Sequence, residues 1–172
     1  MKHVNDYSDV GLHPSFASND STKKLAKELD RLSKTLHYPI QKSRQHFLKL
    51  HLPETYRNLM ELGVKSEYSM GYPDCAGFRA SICTPYYFYD LEQEVETNLK
   101  IHPFSLMEAT YKYYQPGELE AVLEKGLEIA KSVKEVDGTF SFVWHSDSIS
   151  GMEPWKGWEN GLALFCEKLQ QL

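Results

Sequence analysis

Two leucine-rich stripes at helical spacing, separated by short β-prone runs, constrain this chain more than anything else in it. Leu25, Leu29, Leu32 and Leu36 recur three or four residues apart, and the spacing predicts a helix over Thr22–Leu36. The polar run Ala17–Ser21 before it is rich in capping residues, and Pro39 stops it. Leu119, Val122, Leu123, Leu127, Ala130 and Val133 mark a second long helix over Glu118–Lys134. Pro53 opens a shorter one carrying Tyr56, Leu59 and Met60, with Gly63 as its stop. Phe104–Tyr114 reads as a short helix, and Trp155–Leu169 as the last, with Trp158, Leu162, Phe165 and Leu169 on its buried stripe. Between the helices lie Val10–His13, Ile40–Phe47, Val64–Met70, Gly77–Ile82, Tyr86–Leu91, Leu99–Pro103 and Phe140–His145, all read as extended. Such alternation argues for an α/β fold with a parallel sheet, open or barrel-like, in a single domain spanning 1–172.

Charge narrows the partners. A net charge of -5 gives no reason to expect nucleic acid, and Lys23, Lys24 and Lys27 share their helix with Glu28 and Asp30, a solvated face. The three cysteines are odd in number and lack CxxC spacing, so reduced thiols are expected. No apolar run is long enough to span a membrane and the N-terminus lacks a signal peptide's apolar core, so a cytoplasmic, membrane-free protein is expected.

Parallel α/β sheets bind ligands at the C-terminal ends of their strands, and that directs attention to three histidines. His13 ends Asp9-Val10-Gly11-Leu12-His13, His145 ends Thr139–Trp144, and His46 follows Arg44 by two residues. In an extended segment Arg44 and His46 would point to the same side. Each histidine by itself reads as a backbone-bonded structural residue; the three together, with an arginine, read as metal ligands or acid–base groups. Arg44 and Arg79 can hold a carboxylate bidentately or form a structural ion pair. Asp147, two residues after His145, either orients that imidazole or caps the following turn. Tyr72, Tyr86 and Trp155, near loops, are candidate groove aromatics for a carbohydrate substrate, whereas Trp158 reads as core. His3, His37, His51 and His102 read as structural or surface residues. The chain has no phosphate-cradling glycine loop, no GxSxG elbow and no HExxH helix.

Gly11-Leu12-His13-Pro14-Ser15, Ser43-Arg44-Gln45-His46-Phe47, Leu52-Pro53-Glu54-Thr55-Tyr56, Tyr68-Ser69-Met70-Gly71-Tyr72, Gly77-Phe78-Arg79-Ala80 and Phe142-Val143-Trp144-His145 follow one another in an order that resembles the later part of bacterial polysaccharide deacetylases, the NodB-like carbohydrate esterases. The resemblance runs from about Asp9 to Trp158, and it is closest to a divergent branch of the family found in large bacterial proteins. It implies a distorted (β/α) barrel of the glycoside hydrolase and deacetylase type. It also implies removal of an acetyl group from a sugar by means of a divalent metal, with zinc the expected ion. By position His13 corresponds to the first metal histidine, Arg44 to the arginine that orients the catalytic base, and His145 to the last-strand general acid.

The chain departs from the family in three places. The second metal histidine should fall four residues after the first, where Ala17 stands; His46 occupies a place usually held by proline and is the candidate replacement ligand. The aspartate motif of the first strand should precede His13, and Asp6 and Asp9 are too near to supply it. The chain therefore reads as a deacetylase-like domain lacking its first strands. The alternative reading is a non-catalytic relative that binds glycan or a protein partner. A sheet left open at one edge would also accept a second copy of the chain, a homo-oligomer.

Overall fold

The computed structural model describes residues 2–172, and for Lys2 and His3 the backbone only; His3, expected at the surface, has its side chain outside the described residues. The chain divides into two compact units, Met1–Met70 with Pro85–His102 and Gly71–Thr84 with Pro103–Leu172.

In the first unit a short helix α1 (Lys2–Asn5) precedes α2 (Thr22–Leu36), whose limits match the leucine spacing. The Ser21 hydroxyl caps α2 by accepting from the Lys24 N–H, and His37 ends it in the left-handed region at φ 63°. Leu25, Leu29, Leu32 and Leu36 are all buried, each contributing about 2 kcal/mol of transfer free energy. Strand β1 (Lys42–Ser43) leads to α3 (Glu54–Glu61), and Gly63 at φ 82° closes that helix in a conformation glycine adopts without strain. Strands β2 (Ser66–Glu67), β3 (Tyr86–Asp90) and β4 (Val95–Ile101) complete a sheet in the order β1-β2-β4-β3. β1, β2 and β4 run parallel, while β3 folds back on β4 as an antiparallel hairpin. Leu12 adds an isolated parallel bridge to Ser43 beyond β1.

In the second unit β5 (Leu106–Met107) pairs in parallel with β6 (Phe142–Val143). Helix α4 (Thr110–Tyr113) follows β5, and α5 (Leu119–Glu135) and α6 (Gly161–Leu169) pack on the pair through Gly126 against Leu106 and Phe165 against Phe142. Gly126 lies inside α5, where it costs about 1 kcal/mol relative to alanine. Its backbone is shielded by Phe165: a Cβ at 126 would stand 2.4 Å from the Phe165 ring, so the glycine is what lets α6 approach α5.

The barrel expectation is overturned. Among the described residues the strands form one open four-stranded mixed sheet and one separate two-stranded parallel sheet, and no barrel closes. The extended runs expected at Val10–His13, Val64–Met70 and Phe140–His145 shrink to a bridge at Leu12 and to the two-residue strands β2 and β6, and four further local expectations fail. Ile40–Phe47 is strand only at Lys42–Ser43, then turns through a 3-10 segment at His46–Leu48 in which Phe47 and Leu48 have φ of 54° and 53°. Gly77–Ile82 is a turn, with the Ser81 N–H donating to the Phe78 carbonyl. Phe104–Tyr114 is strand β5 before it is helix, because an apolar run this short fits either periodicity. The last helix starts at Gly161, not Trp155.

Candidate functional site

The register of the first unit explains why its polar residues collect where they do. Leu12, Ser43, Glu67 and Ile101 form one row across the parallel strands. The next row, just past the C-terminal strand ends, is His13, Arg44, Tyr68 and His102. It is tied by the Arg44 N–H to the Leu12 carbonyl, the Tyr68 N–H to the Ser43 carbonyl and the His102 N–H to the Glu67 carbonyl. Residues aligned across parallel strands share a face, and the following row on the Glu67 side is Gln45 and Ser69.

His13 and His46 meet. The Nδ1 of His13 lies 2.7 Å from the Arg44 carbonyl oxygen, which can only accept, so Nδ1 carries the proton and Nε2 presents a lone pair. His46 Nδ1 stands 3.1 Å from that Nε2, with ring centroids 5.0 Å apart. Two nitrogens on a tetrahedral zinc at about 2.05 Å each would be about 3.3 Å apart, so the spacing suits a shared proton or a shared ion. Phe47 packs edge-on against His46 at 4.6 Å and against Phe16 at 5.9 Å, leaving two exposed aromatic rings beside the pair. Among the described residues no group of three or more His, Cys, Asp or Glu side chains gathers as a metal cage. The pair therefore fits an ion as two ligands.

Arg44 does not share the spot that an extended segment would have given it with His46. Its Nε donates to the Tyr68 carbonyl at 3.0 Å, and burial pulls its pKa down while the charge of Glu67 opposes. Tyr68 stacks on His102 at 4.4 Å with a 14° tilt, and burial, then Lys100 and Lys42, lower the His102 pKa. Tyr86 opens β3 half-buried, its phenol pushed up by burial and then by Glu67.

Glu67 was not singled out in the sequence, yet it is wholly buried. Its oxygens accept from the Ser69 N–H at 2.9 and 3.0 Å, from the Ser69 hydroxyl and from the Tyr56 hydroxyl at 3.4 Å. Burial pushes its pKa up to about 7, against the opposing pull of these donors and of Arg44.

The second unit holds His145, and its orienting partner is Glu108, not Asp147. Glu108 follows β5, is fully buried, and accepts from the His145 backbone N–H at 2.7 Å and from its Nδ1 at 2.9 Å. Asp147 is exposed in the 3-10 turn that follows, where its backbone carbonyl accepts from the Ser150 N–H. The imidazole of His145 is 47% exposed. With Nδ1 committed to the carboxylate, Nε2 is the nitrogen that exchanges protons. Arg79 Nη1 donates to the Gly71 carbonyl at 3.3 Å, and Tyr72 is exposed. Trp155, expected at a groove, is instead 4% exposed: Trp158 packs edge-on against it at 5.2 Å and Lys112 Nζ sits 5.8 Å above its ring. Neither Glu67 nor Glu108 carries a sequence signal of its own, since an acid in a short extended run reads as solvent-facing until its partners are known.

No helix of the described residues is long and apolar enough to cross a membrane. No protein-family model and no curated protein matches the chain.

Proposed function

We propose that the chain is a polysaccharide-deacetylase-like domain that hydrolyses acetyl groups on a carbohydrate with the help of a divalent ion. The observation that carries this reading is the His13–His46 nitrogen pair, 3.1 Å apart with the His13 tautomer fixed by the Arg44 carbonyl. Zinc suits two imidazoles, and an ion held there supplies Lewis-acid polarisation of an acyl carbonyl. Arg44, anchored on Tyr68, places a permanent cation next to the pair in the chain and orients an acidic group. In the second unit, Glu108 holds His145 through Nδ1, and this imidazole is the candidate acid for a leaving amine or alkoxide. Arg79 is the second candidate orienting cation, and Tyr72, Tyr86 and the Phe16–Phe47 pair are the aromatic surfaces for a sugar ring.

The test is elemental analysis of the purified chain and of His13→Ala and His46→Ala, followed by acetate release from acetylated chito-oligosaccharides with His145→Asn as control. Near-stoichiometric zinc that disappears in both alanine variants supports the reading. No zinc after reconstitution removes it and leaves the second reading, a non-catalytic domain that binds glycan or a protein. That second reading is favoured because, among the described residues, no third His, Cys, Asp or Glu side chain gathers with the pair.

A further inference from the structure

The turn that carries His46 is held in a costly shape. Phe47 and Leu48 are consecutive non-glycine residues at positive φ, a region that L side chains enter only when their surroundings force them. Phe47 is 69% exposed, so packing of its ring does not hold the backbone there. What holds the turn is its first residue. Gln45 is buried: its backbone N–H donates to the Ser69 hydroxyl oxygen at 2.7 Å and its side-chain Nε2 to the Ser43 hydroxyl at 2.9 Å. The Ser69 hydroxyl in turn donates to Glu67. Downstream, Asn19 Nδ2 donates to the Lys49 carbonyl at 2.7 Å and closes the other end.

We infer that Glu67 is a positioning residue for the histidine pair: acting through the Ser69 hydroxyl, it clamps Gln45 and so fixes the strained turn that brings His46 to His13. The inference rests on the proposed ion site for its purpose, and on the hydrogen-bond chain alone for its geometry. The direction of each bond is set. The Gln45 N–H can only donate, so Ser69 Oγ must accept there and has its single proton left for the carboxyl. The groups that face Glu67 are Ser69, Tyr56 from α3, Arg44 after β1 and, through its charge, Tyr86 of β3. Three neutral groups donate to the carboxyl, the Ser69 N–H, the Ser69 hydroxyl and the Tyr56 hydroxyl. Those donors need an acceptor at residue 67 and not a charge. Glutamine supplies one: its carbonyl accepts from both groups of Ser69, and its amide donates to the Tyr56 oxygen.

The experiment compares wild type with Ser69→Ala, Glu67→Ala and Glu67→Gln. The probes are zinc alone, titrated by calorimetry, and, in zinc-free protein, the nuclear Overhauser contact between the His13 and His46 rings. Ser69→Ala and Glu67→Ala are expected to weaken zinc binding by about 10- to 100-fold, the range for loss of groups that orient ligands, and to abolish the ring–ring contact. Glu67→Gln is expected to keep both. A Ser69→Ala protein with wild-type zinc affinity and an intact ring contact overturns the inference, and it decides the matter if Glu67→Ala fails to fold. If wild type binds no zinc, the proposed ion site fails, and the zinc-free ring contact still decides whether Glu67 positions the pair.

Discussion

Glu67 and Glu108 are both fully buried glutamates at the end of a short parallel strand, and both stand behind a histidine. They are satisfied differently. Glu108 meets an imidazole directly, at 2.9 Å, together with a backbone N–H, so its charge has a partner that can itself become a cation. Glu67 meets two hydroxyls and one backbone N–H, and acts on His46 only through Ser69 and Gln45. A direct pair tunes a proton; a chain through neutral donors fixes a shape. The cost of the second arrangement is that the carboxylate lies in the core among dipoles, and burial lifts its pKa to about 7 against the pull of those donors and of the Arg44 charge.

The largest expected consequence is a pH dependence of stability specific to Glu67. Its folded pKa is raised above the ordinary 4.5, so the folded state holds its proton more tightly than the unfolded chain. The stability this provides is fully present below about pH 4.5 and is lost as pH rises through about 7, a change of about 3 kcal/mol for a shift of this size. His102, whose pKa is lowered by burial, works in the opposite sense, so the comparison must be with Glu67→Gln. Denaturant unfolding of wild type should weaken relative to Glu67→Gln by about 3 kcal/mol between pH 4.5 and 8. Parallel curves would remove the contrast between the two glutamates.

Glu108→Gln is expected to cost about 2 kcal/mol, because two bonds to an ionised acceptor become bonds to a neutral one. The measurement is denaturant unfolding of the variant against wild type. A cost below about 0.5 kcal/mol would mean that the pair is no tighter electrostatically than the Glu67 chain. Ser69→Ala should cost about 1 to 2 kcal/mol in thermal or denaturant unfolding, the price of leaving the Gln45 N–H without an acceptor.

How much of this was legible in the sequence follows from what each feature needs. Helices α2 and α5 were readable because a stripe of leucines and valines repeated over four turns leaves one solution, and their limits agree with the spacing to within a residue. The two-residue strands were not, since β1, β2, β5 and β6 are too short to show alternation and their pairing is non-local. Strand β4 begins at Val95 in a stretch of glutamates whose exposed side carries no apolar signal. His13 and His145 could be singled out by their places at the ends of β-prone runs and His46 by its place two residues after Arg44, and His13 does meet His46. The direction of Arg44 depended on the segment staying extended, and it does not. The two glutamates were missed because a charged residue in a strand reads as solvent-facing until its partners are known, and those partners, Tyr56 and Ser69 in one case and His145 in the other, are fixed only by the fold.

The smallest expected effect separates the two regions by strain. His145 is approached by ordinary extended backbone, φ −86° and ψ 148°, whereas His46 is followed by two left-handed residues. Asparagine tolerates the left-handed region better than phenylalanine does. Phe47→Asn relieves about half of a penalty of about 1 to 2 kcal/mol, and gives up edge-on ring contacts worth about 0.5 kcal/mol at an exposed site. The net is a gain of about 0.5 kcal/mol, seen as a rise in Tm of about 1 to 2 °C for a chain of this size. Leu48→Asn at the same φ should instead lose about 2 kcal/mol, because Leu48 is buried and its side chain contributes to the core. If Phe47→Asn destabilises as much as Leu48→Asn, the exposed ring is holding the turn, and the clamp at Gln45 is not what keeps His46 against His13.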